Sequence, residues 1–237
     1  MKRYLVPILV ALAGSLVSAA PDPTAPKGGS ITGTVVVAKD GKAIGDAEDV
    51  YVYLEEATPP RHPGEGMSAK IMQIDQEFVP HVVVVPSYAT VFFPNKDSED
   101  HSVFSPPDPP LIDTIDLGRS RNRNPGVSTK FIEPREYKIY CDIHMNMWAY
   151  VKVVPSRYIA KVVKGKFEIT GLPPGRYKAV AWTPQTLDVK SDLVTIAGDE
   201  TKAIPELHLQ TTMQRPATHL RLDGSAYPPY PEKKKRK

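Results

Sequence analysis

The chain has 237 residues, a formal net charge of +3 and one cysteine. The basic residues gather on no readable element, which speaks against a nucleic-acid footprint, and a lone cysteine excludes an internal disulfide. The length suits one large all-β domain or two small ones.

Lys2 and Arg3 precede an apolar run over residues 5–17, followed by Ser18, Ala19 and Ala20. This is the pattern of a cleaved secretory signal over residues 1–20, and the run is too short for a membrane span. The expectation is an exported chain, periplasmic or secreted. With Lys2 and Arg3 removed and the basic run at 233–237 set aside, the remaining body is slightly acidic.

Residues 21–29 read as a Pro/Gly linker. Strands are predicted at 31–37 and 50–54, the second with Tyr51 and Tyr53 in alternation. A Pro/Gly loop at 58–66 separates these from strands at 69–74, 78–85 and 90–93. A polar loop at 95–100 ends at His101, and Val103-Phe104 resumes a strand that the prolines of 106–110 stop. Arg119, Arg121 and Arg123 alternate within 111–124, which reads as an exposed loop or sheet edge. Strands follow at 127–132, 137–141 and 149–154, with Tyr137, Ile139 and Cys141 on one face. Beyond Arg157 the expected strands are 166–170, 176–182, 194–196 and 203–209, with a turn at 171–175. Residues 211–237 have the composition of a disordered basic tail, either solubilising or in weak contact with an anionic surface. No long run after the leader keeps a helical period, so the fold class is all-β.

The connection Cys141-Asp142-Ile143-His144-Met145-Asn146-Met147 puts thiolate, imidazole and thioether donors between two predicted strands. A free thiol in an oxidising compartment is a liability unless something occupies it. Soft sulfur with imidazole suits copper, and a His2Cys set with a weak axial Met makes a blue-copper electron-transfer centre. Cys141 and His144, three apart on a turn, can point to one centre, and Met147 can approach from one side, with Met145 its competitor. His101, at the end of a neighbouring loop, is placed to supply the second imidazole. His81 reads as a buried, hydrogen-bonded residue or a further metal contact, and His62, His208 and His219 as solvent-facing or structural. Trp148 reads as packing, as a shield for the metal or as an electron relay. Phosphate loops, Ser/His/Asp sets and paired-carboxylate patterns do not stand out, which speaks against hydrolysis and phosphoryl transfer.

Phe78-Val79-Pro80-His81, Val91-Phe92-Phe93-Pro94-Asn95, Asp97 with His101, Ser102-Val103-Phe104-Ser105 and the run from Glu136 through Met147 resemble the cupredoxins. The likeness is to the plastocyanin-like kind found in methylamine-utilisation-type proteins, and it covers residues 67–154. It implies a Greek-key β-sandwich holding one mononuclear type 1 copper through His101, Cys141, His144 and Met147. It also implies single-electron exchange with redox protein donors and acceptors, and no catalysis. The alternative is a periplasmic copper carrier or a non-catalytic binding module. Two residues depart from the family pattern: Ser102 stands where Asn commonly follows the first histidine, and Tyr88 where Gly is usual.

Ile31-Thr32-Gly33-Thr34-Val35 with Gly45-Asp46-Ala47, and Gly165 with the run onward to Tyr177, resemble the two halves of a carboxypeptidase-regulatory-like, transthyretin-type β-sandwich. In that family the halves are close in sequence. The expectation is a discontinuous module over 28–58 and 157–210 with the 67–154 domain inserted; two consecutive domains are the alternative.

Overall fold

The computed structural model describes residues 28–45, 47–106, 115–121, 126–211 and 219–228. The expected leader, most of the linker and the basic run at 233–237 lie outside them. Every regular element among the described residues is a strand, so the chain is all-β. The opening strands are β1 (Gly29–Lys39), β2 (Lys42–Ile44) and β3 (Tyr51–Glu56). A middle group follows: β4 (Ser68–Lys70), β5 (Met72–Ile74), β6 (Glu77–Val79), β7 (Val82–Pro86), β8 (Ala89–Phe93), β9 (His101–Ser105), β10 (Ile115–Ser120), β11 (Val127–Phe131), β12 (Glu136–Cys141) and β13 (Trp148–Val154). The closing strands are β14 (Ile159–Lys161), β15 (Lys166–Leu172), β16 (Gly175–Trp182), β17 (Val189–Lys190), β18 (Val194–Ile196), β19 (Thr201–Ala203) and β20 (Leu207–Gln210).

Opening and closing strands share two sheets. β1 pairs antiparallel with β15 and β2, and parallel with β19 and β20. β3 lies between β14 and β16, while β17 and β18 pair along β16. The middle group keeps to itself: β10-β9-β12-β13-β7 form one sheet, β11-β8-β4 a second, and β5-β6 a hairpin.

Period-two alternation explains how these sheets stack. Along β3, Val52 and Leu54 enter the core shared with Ile31, Phe167 and Leu209, while Tyr51 and Tyr53 face the other way. β16 divides likewise, with Ala179 and Ala181 inward and Val180 and Trp182 outward. In β13, Ala149, Val151 and Val153 pack with Val91, Phe93 and Phe131, while Trp148, Tyr150 and Val154 turn outward. Strands apolar on both faces belong between two cores. The outward faces meet each other, Trp182 against Tyr150 and Val82, and Val180 with Tyr53 against Val154. Four sheets thus stack with three apolar layers between them. Asp188 pins the middle seam, accepting from Tyr53 Oη at 2.9 Å and from Lys152 Nζ at 2.9 Å.

Several local expectations change. The run at 78–85 is broken because Pro80 has no N–H to continue a ladder, so β6 ends at Val79 and β7 begins at Val82. For 115–120 the sheet-edge alternative holds: they form an edge strand on β9, with Ser120 opposite His101. Tyr88 holds φ at +71°, a left-handed conformation costing a non-glycine residue about 1–2 kcal/mol, and its ring lies 4.0 Å from that of His62. The unstructured tail expected from 211 does not hold for 219–228. These residues pack on the outer face of β9 and β12, where His219 stacks on Tyr140 at 3.8 Å between ring centroids. Low apolar content rules out a core of its own, not docking on an aromatic face already built.

The middle seam makes Trp182, 1% exposed, a sensitive position. Trp182→Ala is expected to lower stability by about 3–5 kcal/mol, read from the midpoint of denaturant unfolding. A loss below about 1 kcal/mol would mean that the two outward faces are not packed together.

Candidate metal centre

β9 begins at His101 and β12 ends at Cys141, and the two strands are antiparallel neighbours, with Cys141 opposite Val103. This register brings the start of one strand beside the end of the other. Cys141 faces the core with Tyr137 and Ile139, as alternation requires. The chain then turns back toward β13, with Met147 N–H donating to His144 O at 3.2 Å. That turn carries His144 over the sulfur.

His101, Cys141 and His144 offer donor atoms that all lie within 4.8 Å of one another. His101 Nδ1 and His144 Nδ1 are 3.0 Å apart, and Cys141 Sγ is 3.8 Å from His144 Nδ1. His101 and Cys141 are both fully buried, and the His144 side chain is 12% exposed. Met147 is also fully buried, in the same apolar cluster as Cys141. Met145 is half-buried.

Carboxylates hold the far side of each ring. His101 Nε2 lies 2.7 Å from Asp97 Oδ2, and His144 Nε2 lies 3.3 Å from Glu99 Oε2. A proton on each Nε2 satisfies these carboxylates and turns each Nδ1 lone pair toward the sulfur, which is how outer partners fix a ligating histidine. Asp97 is itself fixed by the β5–β6 hairpin. Asp75 and Gln76 hold φ of +54° and +60°, the backbone of a tight two-residue turn. Their N–H groups donate to Asp97 Oδ1 and Oδ2 at 2.6 and 2.9 Å. Asn95, fully buried, binds the loop from inside through Glu99 O at 2.8 Å and Ser120 O at 2.9 Å.

The sulfur accepts three backbone N–H groups, from Ser102 at 3.5 Å and from Ile143 and His144 at 3.4 Å each. Ser102 thus reaches the sulfur through its backbone, a contact that does not depend on which side chain stands there. Burial pushes the Cys141 thiol up, against the three N–H groups that favour a thiolate. Burial, with His101 as neighbour, holds His144 below the ordinary histidine value, so its ring stays neutral and ready to ligate. Burial alone would raise Asp97, but the N–H groups of Gln76 and Asp75 and the His101 ring hold it below the ordinary carboxylate value.

The donor set fits a trigonal metal ion. With metal–nitrogen and metal–sulfur bonds of about 2.0 and 2.3 Å, nitrogen donors stand roughly 3.5 Å apart and sulfur roughly 3.7 Å from each nitrogen. The observed separations, 3.0 and 3.8 Å, bracket those values. Of the expected site residues, His101, Cys141 and His144 come together, with Met147 in the core beside them. Asp97 and Glu99 as ring partners were not singled out from sequence, although the spacing Asp97-x-x-x-His101 was visible. His81 lies apart, its Nδ1 3.0 Å from Trp148 O and its ring stacked on Trp148 at 4.3 Å. His208 is exposed beside Glu206.

The metal-free protein is expected to lose stability in two stages on acidification. A histidine held low by burial takes its proton more readily in the unfolded chain, so its contribution is complete above about pH 6.5 and lost as pH falls below that. Asp97 contributes above about pH 4 and loses its part as pH drops through its lowered value. Denaturant midpoints between pH 4.5 and 8 should show His144→Gln shrinking the upper stage, leaving the part due to His219, also held low by burial. An unchanged upper stage would contradict the buried neutral ring.

No protein-family model and no curated protein matches the sequence. Among solved structures, a copper(I) amicyanin variant aligns with a TM-score of 0.34 and 15% identity over 44% of this chain and 98% of that one. An oxidised amicyanin variant gives 0.35 and 15% over 43% and 99%. The copper-containing nitrite reductase from Thermus scotoductus SA-01 gives 0.34 and 21% over 41% of this chain and 25% of that one.

Proposed function

We propose that the protein is an exported, cupredoxin-like electron carrier that holds one copper ion through His101, Cys141, His144 and Met147. The observation that carries this reading is the convergence of two imidazole nitrogens and one buried sulfur within 4.8 Å. Softness of the donors selects copper over harder cations, because thiolate, thioether and imidazole together suit it. When bound, copper supplies a one-electron couple between its two common oxidation states.

The chain's residues do the rest. Asp97 and Glu99 orient the rings, three N–H groups hold the sulfur, and the β-scaffold fixes both strand ends. A donor set held this tightly would rearrange little when charge changes. Export through the signal read at residues 1–20 would place Cys141 in an oxidising compartment, where a bound metal ion keeps the thiolate from oxidation. Redox proteins are the expected donors and acceptors.

Within this reading, residues 28–58 and 157–210 form a carboxypeptidase-regulatory-like β-sandwich, and residues 67–154 are the copper domain inserted into it. The pairing of β1 with β15 and of β3 with β14 and β16 supports that division.

Copper(II)-loaded protein is expected to show an intense visible absorption from the copper–thiolate bond, lost in Cys141→Ser. A colourless protein that binds copper(I) and surrenders it to a chelator would sink the electron-carrier reading. Asp97→Asn removes the partner that orients His101 and is expected to weaken copper binding about 10–100-fold, measured by competition with a chelator of known affinity. Unchanged affinity would mean that the ring is held without Asp97.

A further inference from the structure

We propose that residues 219–228 are a strap in which Tyr227 and Arg221 act as positioning residues for the metal loop, gripping it from outside the sheet. Cys141 points inward, so its strand neighbour Tyr140 points outward, next to Phe104 on β9. The seam clusters that bury the outward faces of β13 and β7 do not include Phe104 or Tyr140, yet Phe104 is 1% and Tyr140 8% exposed. His219 covers them, lying parallel to Tyr140 at 3.8 Å and 6.2 Å from the Phe104 ring. Tyr227 closes the other side of His219 edge-on at 5.3 Å.

From that aromatic anchor the strap reaches the two residues that begin the metal loop. Tyr227 Oη donates to the carbonyl of Cys141. Arg221 donates to Asp142 O at 3.2 Å and to Asp142 Oδ2 at 3.1 Å, while Leu222 N–H donates to Asp142 Oδ1 at 2.8 Å. The ligand strand is therefore held on both faces, its sulfur by N–H groups within and its carbonyl by a phenol without. The inference rests on the reading above only for the identity of the metal; the clamp on the loop stands on the strap's own contacts.

The test is hydrogen exchange followed by mass spectrometry on the metal-free, full-length protein, comparing the unaltered chain with Tyr227→Phe and Arg221→Gln. Tyr227→Phe keeps the ring that packs on His219 and removes only the hydroxyl. The expected result is about tenfold faster exchange at the amides of Ile143 and His144, the scale of one lost hydrogen bond, with β13 unchanged. The same variants should bind copper(I) about tenfold more weakly and shift the copper–thiolate band, a readout that passive cover would not move. Loop exchange equal in all three proteins overturns the proposal. Faster loop exchange in a protein whose unaltered form shows no copper–thiolate band supports the clamp and removes the copper reading.

Discussion

Two imidazole nitrogens 3.0 Å apart, with a sulfur 3.8 Å from one of them, form a group of polar atoms that water scarcely reaches. Bringing polar atoms together out of water costs free energy. The neighbouring contacts oppose the relaxations that would relieve that cost. His101 cannot swing away without leaving Asp97, His144 without leaving Glu99, and the sulfur without abandoning three N–H groups. So many independent contacts on one small group of side chains fix where its donor atoms stand.

That restraint is inherited from the register of β9 on β12 and from a hairpin placed beside it. Asp75 and Gln76, both in left-handed conformations, aim their N–H groups at one carboxylate, so a turn with no metal ligand decides where His101 points. Asn95 ties the same loop to Ser120 on the edge strand. The centre thus depends on β5, β6, β9, β10 and β12 together. Truncating any one of them loosens a ring or the sulfur rather than only the fold around it.

Alternation of apolar residues made most strands legible, and the spacing Cys141-x-x-His144 with His101 upstream pointed to three side chains that the fold brings together. What alternation left hidden was the second face. Tyr51 and Tyr53 read as one side of an amphipathic strand, yet they form a seam against Trp148, Tyr150 and Val154. A sequence gives the period of a strand but not what lies opposite its polar-looking side. The same gap hid 219–228: a segment poor in aliphatic residues gave no sign that Tyr140 and Phe104, far away in sequence, waited to be covered. Asp97 escaped for another reason, since an acidic residue in a polar loop looks solvated until the three partners of its carboxylate are known.

Chain connectivity bears on the proposed insertion through a simple geometric point. β3 ends at Glu56 and β14 begins at Ile159, yet they are antiparallel neighbours with Tyr53 opposite Ile159 and Tyr51 opposite Lys161. The middle group therefore leaves one strand and returns on the next, as the loop of a hairpin does, and its two ends meet the outer sheets side by side. Closing a long loop costs only slowly more with length, and a loop that folds on its own core repays that cost itself. The seam then adds what a tether alone lacks: Trp182 and Val180 packed on Tyr150 and Val154, and Asp188 bridging Tyr53 to Lys152, fix the orientation of the middle group. With β13 pinned on that side and the end of β12 held by 219–228, the short connection bearing His144 and Met147 is anchored at both ends.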